Sequence, residues 1–421
     1  MRGEITYRST SYHPSMPDLA PVPPRERVVT LDVLRGFALC GVMIGNMVLY
    51  SGHWAAQGPP PDPTTLDQIA GWFETIFVAS KAQTLLTFLF GFGFAVQLLR
   101  AQERHAPVMA LYVRRLVVLF VLGALHITVL WWGDVTWTYA VAGFGLLAFL
   151  HTSNRTRVAW AIGLIFVPYL VMQIPEVRLA AARVFLGPHE LGARTAQMAA
   201  ALHRPDRAGL PWEHLQYALV WETNIYAWYY FWTLGRFLLG YVAGQRRWFD
   251  NDGADHLPVF RRLAVWGGAI GVVTNALVVL RLIGVLPLAS YGQWGRFVAG
   301  VIQQASYLAL TLAYVGIIVL LMQRPAWRRV LGILAPVGRM PLTTYFSQSL
   351  LCTFVLYGWG LGWAAWISDA GCLVLAIAIF SVQIALSHLW LRAFRLGPLE
   401  WVWRSAVYLK LQPMRLASAA S

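Results

Sequence analysis

Arg35 and Asn46 stand eleven residues apart in a stretch that is otherwise apolar, VLRGFALCGVMIGNMVLY (Val33 to Tyr50). Eleven residues make about three helical turns, so the two polar side chains share one stripe. A charge at membrane depth costs about 2.5–3.5 kcal/mol on insertion scales, so Arg35 calls for a partner or a ligand. Asp32, one turn earlier, would make an ion pair near the inner boundary. An anionic ligand entering from the cytoplasm would serve equally. His53 leaves the same stretch at its far end beside Trp54. An imidazole, with its ordinary pKa of about 6.5, suits a general base or a nucleophile, although histidines at membrane boundaries are common.

A second group lies later. His126 closes one apolar stretch, and Asp134 sits two turns on in the uncharged loop WWGDVTW. Asp134 would either cap the next helix, as aspartates commonly do, or serve a site. His126 would be a packing residue or a catalyst. Arg236, inside FWTLGRFLLGYVAG, is a second charge within an apolar run. Glu222, Asn224 and Tyr226 precede it, Lys81 opens another run, and Gln303, Gln304, Ser306, Thr343, Thr344, Tyr345 and Gln348 lie in later ones. Uncharged groups of this kind usually bond helix to helix and do not define a site alone.

Apolar helices must position these residues. The chain has 421 residues, 58% of them hydrophobic and only 12% charged, against about 25% charged in soluble domains. Twenty tryptophans fit many lipid–water boundaries. The expected class is all-α, a polytopic membrane bundle of about ten spans near 30–50, 82–99, 110–132, 135–151, 157–174, 222–244, 263–284, 298–322, 340–359 and 371–391. Arginine groups such as Arg100 and Arg104, Arg246 and Arg247, and Arg328 and Arg329 fall in alternate connections. By the positive-inside rule, both termini are then cytoplasmic. This placement also accounts for the net charge of +14 without nucleic acid, for which no aromatic-interleaved basic patch exists.

Residues 1–27 read as a disordered cytoplasmic tail, 28–405 as one membrane domain, and 406–421 as a second tail. An outer interfacial helix is expected at about 64–79, where Leu66, Ile69, Trp72, Phe73 and Phe77 oppose Asp67, Gln68 and Glu74. A long outer loop runs from about 175 to 221. In the second span, GFGF (Gly91 to Phe94) suits close helix packing. Cys40, Cys352 and Cys372 lie in apolar runs without metal-ligand spacing, so no metal site is expected. No GxxxxGK[ST], HExxH or GxSxG motif supports ATP hydrolysis, zinc proteolysis or serine-hydrolase chemistry.

Four segments, LDVLRGFALCGVMIGNM (Leu31 to Met47), RRLVVLFVLGALHITVLWWGDVTWTYA, PVGRMPLTTYFSQSLLC (Pro336 to Cys352) and WLRAFRLGPLEWVWRS (Trp390 to Ser405), resemble the YeiB-like family of bacterial inner-membrane proteins. That family is in turn similar to the transmembrane acyltransferases, which include heparan-α-glucosaminide N-acetyltransferase. The resemblance implies transfer of an acyl group from a cytoplasmic donor, with acyl-CoA as co-substrate and no bound cofactor, to a small-molecule, glycan or lipid acceptor at the outer face. In the O-acyltransferase branch a histidine follows Arg35's counterpart where Asn46 stands here, and an amide cannot act as a base. The glucosaminide branch has an asparagine there and its histidine later, which makes His53 the base, oriented by Asp134 or Glu74. Arg35, Asn46, Lys81, Arg236 and Gln348 would contact donor or acceptor. A carrier for an anionic solute or lipid-linked sugar, or an envelope sensor or scaffold, are the competing expectations. Membrane lipids are expected partners, and the oligomeric state is open.

Overall fold

The structure, a computed structural model, describes residues 28–52, 63–103, 108–171, 173–177, 180, 188–224 and 228–416. The 1–27 tail, His53 and Tyr226 lie outside these residues. Among the described residues the chain is helical, with one isolated antiparallel bridge between Phe394 and Arg415.

In chain order the main helices are α1 (Val29–Ser51), α2 (Thr65–Phe73, continued by a π-helical turn, Glu74–Val78), α3 (Lys81–Glu103), α4 (Val108–Val129), α5 (Thr136–Gly145), α6 (Asn154–Val171), α7 (Pro188–Leu202) and α8 (Leu210–Asn224). They continue as α9 (Tyr229–Gln245), α10 (Leu257–Leu282), α11 (Gly292–Met322), α12 (Pro325–Gly332), α13 (Ala335–Arg339), α14 (Pro341–Leu356), α15 (Asp369–Ala393) and α16 (Pro398–Tyr408). Among the described residues, six helical segments are long and apolar enough to cross a membrane: Val29–Ser51, Thr65–Glu103, Met109–Val129, Asp250–Leu282, Leu288–Met322 and Asp369–Ala393. The second of these turns sharply at Ser80, whose φ is +57°.

Their outward faces are apolar, the reverse of a water-soluble bundle. On α4, Val117, Val121, Leu125 and Val129 recur every four residues and are all exposed. That spacing draws one greasy stripe along a helix, and a solvent of lipid explains it. Inside, helices approach closely through small residues. A Cβ on Gly91 of α3 would overlap the carbonyl of Phe237 on α9, and one on Gly240 of α9 would overlap the carbonyl of Phe88 on α3. The packing expected of GFGF is thus borne by Gly91, whereas Gly93 faces open space.

Contacts at the two ends of the bundle segregate. At one end, Thr30 N donates to Asp252, which also pairs with Arg328 at 2.8 Å, and Arg114 donates to the Val407 carbonyl at 2.8 Å. At the other, the backbone N–H of Ala370 donates to Asp67 at 2.9 Å, and that of Gly358 donates to the Leu202 carbonyl at 2.7 Å.

Two boundaries differ from expectation. The helix expected from residue 222 begins at Tyr229, because Glu222–Asn224 closes α8 instead of opening α9. Residues 409–416 fold back on the bundle: Arg395 N donates to the Met414 carbonyl and Trp401 Nε1 to that of Gln412.

Candidate functional site

The short loop Leu130–Val135 turns α4 back into α5, and this hairpin brings His126 and Asp134 together. His126 Nδ1 lies 3.2 Å from Asp134 Oδ1, both side chains fully buried. The contact lacks hydrogen-bond geometry, and His126 Nδ1 has no hydrogen-bond partner among the described residues. The carboxylate is held by its own helix start: Trp137 N donates at 2.6 Å and the Thr136 hydroxyl at 2.8 Å. Asp134 thus takes the expected capping place at the start of α5, and it does so beside the histidine. Gly123, one turn before His126, leaves the room. A Cβ there would stand 2.5 Å from Trp137 N and 2.9 Å from Asp134 Oδ2.

Helix α14 closes the other side. Ser349 Oγ lies 2.8 Å from His126 Nε2 and 2.7 Å from the hydroxyl of Tyr50 on α1. One turn earlier, Tyr345 stacks on the imidazole with centroids 5.1 Å apart, and its hydroxyl accepts from Val135 N at 3.3 Å. Residues four apart share a helix face, so one face of α14 grips both the histidine and the loop. The Tyr50 hydroxyl, Ser349 Oγ and His126 Nε2 thus form a hydrogen-bonded run that ends against the Asp134 carboxylate. The result is a buried chain, Tyr50–Ser349–His126–Asp134.

The GPLEW motif sets the position of α14. Glu400 accepts from Leu342 N at 2.6 Å and from the Thr343 hydroxyl at 2.6 Å, capping the first turn of that helix. A carboxylate suits the positive end of the helix dipole.

Asp134 also borders a cavity of about 290 Å³. Its walls come from α1 (Asn46, Leu49), the π turn (Glu74), the start of α3 (Ser80, Gln83), the α4–α5 loop (Trp132, Asp134), and Trp221 and Tyr229. The π turn exposes carbonyls that an α-helix would use, and three side chains satisfy them. Lys81 donates to Thr75 O, Asn275 to Ile76 O at 2.7 Å, and Tyr314 to Phe77 O at 2.9 Å. Widened turns of this kind recur at functional sites, and this one presents Glu74 to the cavity. Burial pushes the Asp134 carboxyl up to about 6, against the hydrogen bonds from Trp137 and Thr136.

The expected site residues thus divide. Asp134 and Asn46 line the cavity, and His126 lies directly behind Asp134. Lys81 is buried with its ammonium on Thr75 O and 5.4 Å above the Tyr307 ring, so it braces the π turn. Arg35 pairs with Asp32 at 2.9 Å, as the ion-pair reading expected. Arg236, buried, donates from Nη2 to the Gln304 side-chain oxygen Oε1 at 3.2 Å. Gln348 donates to the Leu39 carbonyl and to Gln383, joining α14 to α1 and α15. Arg35, Arg236 and Gln348 are not among the described cavity walls. His53 lies outside the described residues. Ser349 and Tyr50 escaped the sequence reading. Their only signal was a polar face on α14, Tyr345 and Ser349 four apart, which resembles ordinary interhelical bonding.

Residues 243–410 match a family described as "Protein of unknown function (DUF418)", a region that contains α10 to α16. Across nearly the whole chain, "Uncharacterized protein YxaH" of Bacillus subtilis is 32% identical, covering 95% of this chain and 98% of that protein. "Uncharacterized protein YeiB" of Escherichia coli is 26% identical, over 90% of this chain and 96% of that one. A protein of Bacillus acidopullulyticus, "Uncharacterized 39.9 kDa protein in amylase 3'region", is 27% identical over 95% and 99%. No solved structure matches the chain.

Proposed function

We propose, from the premise that this chain belongs to the YeiB-like family, that it moves an acyl group from a cytoplasmic donor to an acceptor at the outer face of the inner membrane. One observation carries the reading. Asp134, a residue of the cavity wall, carries a fully buried carboxylate whose pKa that burial raises toward neutrality, and a buried histidine backs it. A general base works best when its pKa lies near the working pH. Asp134 takes the proton from an acceptor hydroxyl or amine in the cavity, and the freed oxygen or nitrogen attacks the acyl carbon of a thioester such as acyl-CoA. The carbon–sulfur bond breaks, and the leaving thiolate takes up a proton. His126 steadies the ionised Asp134, a positioning role, while Glu74 and Asn46 orient the acceptor.

The reading places ten membrane crossings in the bundle and both termini in the cytoplasm. Besides the six long apolar helices, α5, α6, α9 and α14 make the four shorter crossings. Segregated contacts support it: segments assigned inside (Thr30, Asp252, Arg328) meet each other, and those assigned outside (Asp67 and Ala370, Leu202 and Gly358) do likewise. A carrier for an anionic solute is the second reading, favoured by Arg236, which has no carboxylate within 4 Å among the described residues.

Mass spectrometry of envelope lipids and glycans separates the two. Cells lacking the protein should lose an acylated species that wild type restores and Asp134→Asn does not. Restoration by both proteins would remove Asp134 from the chemistry. An unchanged set of acylated species, with solute uptake lost in Arg236→Gln, would favour the carrier.

A further inference from the structure

We propose that the outer cavity is a binding site for a small organic cation, a protonated or quaternary amine. The proposal rests on the acyl-transfer reading only for calling that cation the acceptor, not for its binding. Two acidic residues, Glu74 and Asp134, and three aromatic ones, Trp132, Trp221 and Tyr229, line the space, with the Asp134 carboxylate itself buried in the wall. Among the described lining residues there is no lysine, arginine or histidine. The nearest ammonium, on Lys81, exerts its charge on Glu74 but is committed to the Thr75 carbonyl and the Tyr307 ring.

The walls also hold polar groups that the protein leaves unused. Among the described residues, the side chains of Asn46, Glu74 and Gln83 make no hydrogen bond and no ion pair. Polar groups inside a membrane bundle are costly unless paired, and unpaired ones face water or a ligand. Carboxylates and aromatic faces together favour a cation, one by charge and the other by the ring quadrupole. An anion would meet the acidic Glu74 and no lysine, arginine or histidine among the described lining residues. A volume of about 290 Å³ admits a small amine and excludes a nucleotide-sized donor. That keeps the acceptor apart from the bulk of any acyl carrier.

The test uses the full-length protein in lipid nanodiscs, titrated by calorimetry with choline, ethanolamine, 3,3-dimethyl-1-butanol (the neutral shape of choline) and acetate. The expected result is binding of choline, ethanolamine or both, with no binding of the neutral alcohol or acetate. Choline alone would assign quaternary amines and ethanolamine alone primary ones. Glu74→Gln keeps the shape and should weaken binding by about tenfold or more, and Trp221→Leu should weaken it as well. Asn46→Asp, which adds a carboxylate to the wall, should tighten it, a gain that misfolding cannot imitate. Absence of binding by both ammonium compounds, equal binding of the neutral alcohol, or an affinity indifferent to Glu74→Gln would overturn the proposal. Acyl transfer measured on the same preparation keeps the two readings apart. Transfer without ammonium binding removes only the cation, and ammonium binding without transfer removes only the chemistry.

Discussion

At the scale of the residue, Asp134 concentrates the account. Two hydrogen-bond donors, Trp137 N and the Thr136 hydroxyl, hold it, a histidine backs it, and the residue forms part of a cavity wall. A base must be ionised to act, and this carboxyl protonates as pH falls through about 6. Acyl transfer should therefore hold above that value and decline below it, as a pH–rate profile will read. Asp134→Asn should flatten the profile and slow the reaction by about 10²–10⁴-fold. His126→Gln should lower the rate less and shift the profile, as expected of a residue that acts through Asp134. A rate unchanged in Asp134→Asn would assign the proton transfer elsewhere. In the sequence, Asp134 was visible as a lone carboxylate in an uncharged loop, but its contact with His126 was not. Eight residues along the chain say nothing of distance until the hairpin turn closes them to 3.2 Å.

At the scale of the element, the site depends on three local devices: the α4–α5 hairpin, the π turn and the capped start of α14. Gly123→Ala would drive a methyl group into Trp137 N and the Asp134 carboxylate, at a cost of about 1–3 kcal/mol for overpacking. Activity should fall while the helices persist, measurable as lost transfer with unchanged far-ultraviolet dichroism. Asn275→Ala leaves the Ile76 carbonyl without its donor and should lower thermal stability by about 1–3 kcal/mol. Glu400→Ala uncaps α14 and should cost about 0.5–2 kcal/mol, along with activity, because Ser349 and Tyr345 ride on that helix. Helix positions were legible from apolar runs, and a helix expected over about 64–79 is present as α2 with its π turn. The π turn itself was not legible, since its donors Asn275 and Tyr314 come from helices about 200 residues away.

At the scale of the whole molecule, the membrane class followed from composition, and the exposed apolar stripes agree with it. The ten-span topology is a sharper claim and predicts which ends meet which solvent. In a background lacking Cys40, Cys352 and Cys372, a cysteine at Trp366, which is 89% exposed, should react with an impermeant thiol reagent in intact cells. One at Leu411, 77% exposed, should react only after the membrane is opened. Reversed labelling would invert the bundle and put the cavity on the cytoplasmic side. Arginines in alternate connections are the sequence signal behind that topology. The cavity was not, because its walls come from six separate segments between Gly41 and Tyr229.

The central claim, that the outer cavity carries acyl transfer with Asp134 as its base, is met most directly in sealed proteoliposomes. An acyl thioester is supplied on the cytoplasmic side of the protein, an amine or alcohol acceptor on the other, and the acylated acceptor is counted. Wild type should form product at a rate that Asp134→Asn lowers by about 10²–10⁴-fold. Product formed equally fast by Asp134→Asn, or no product from wild type with any thioester, would contradict the account.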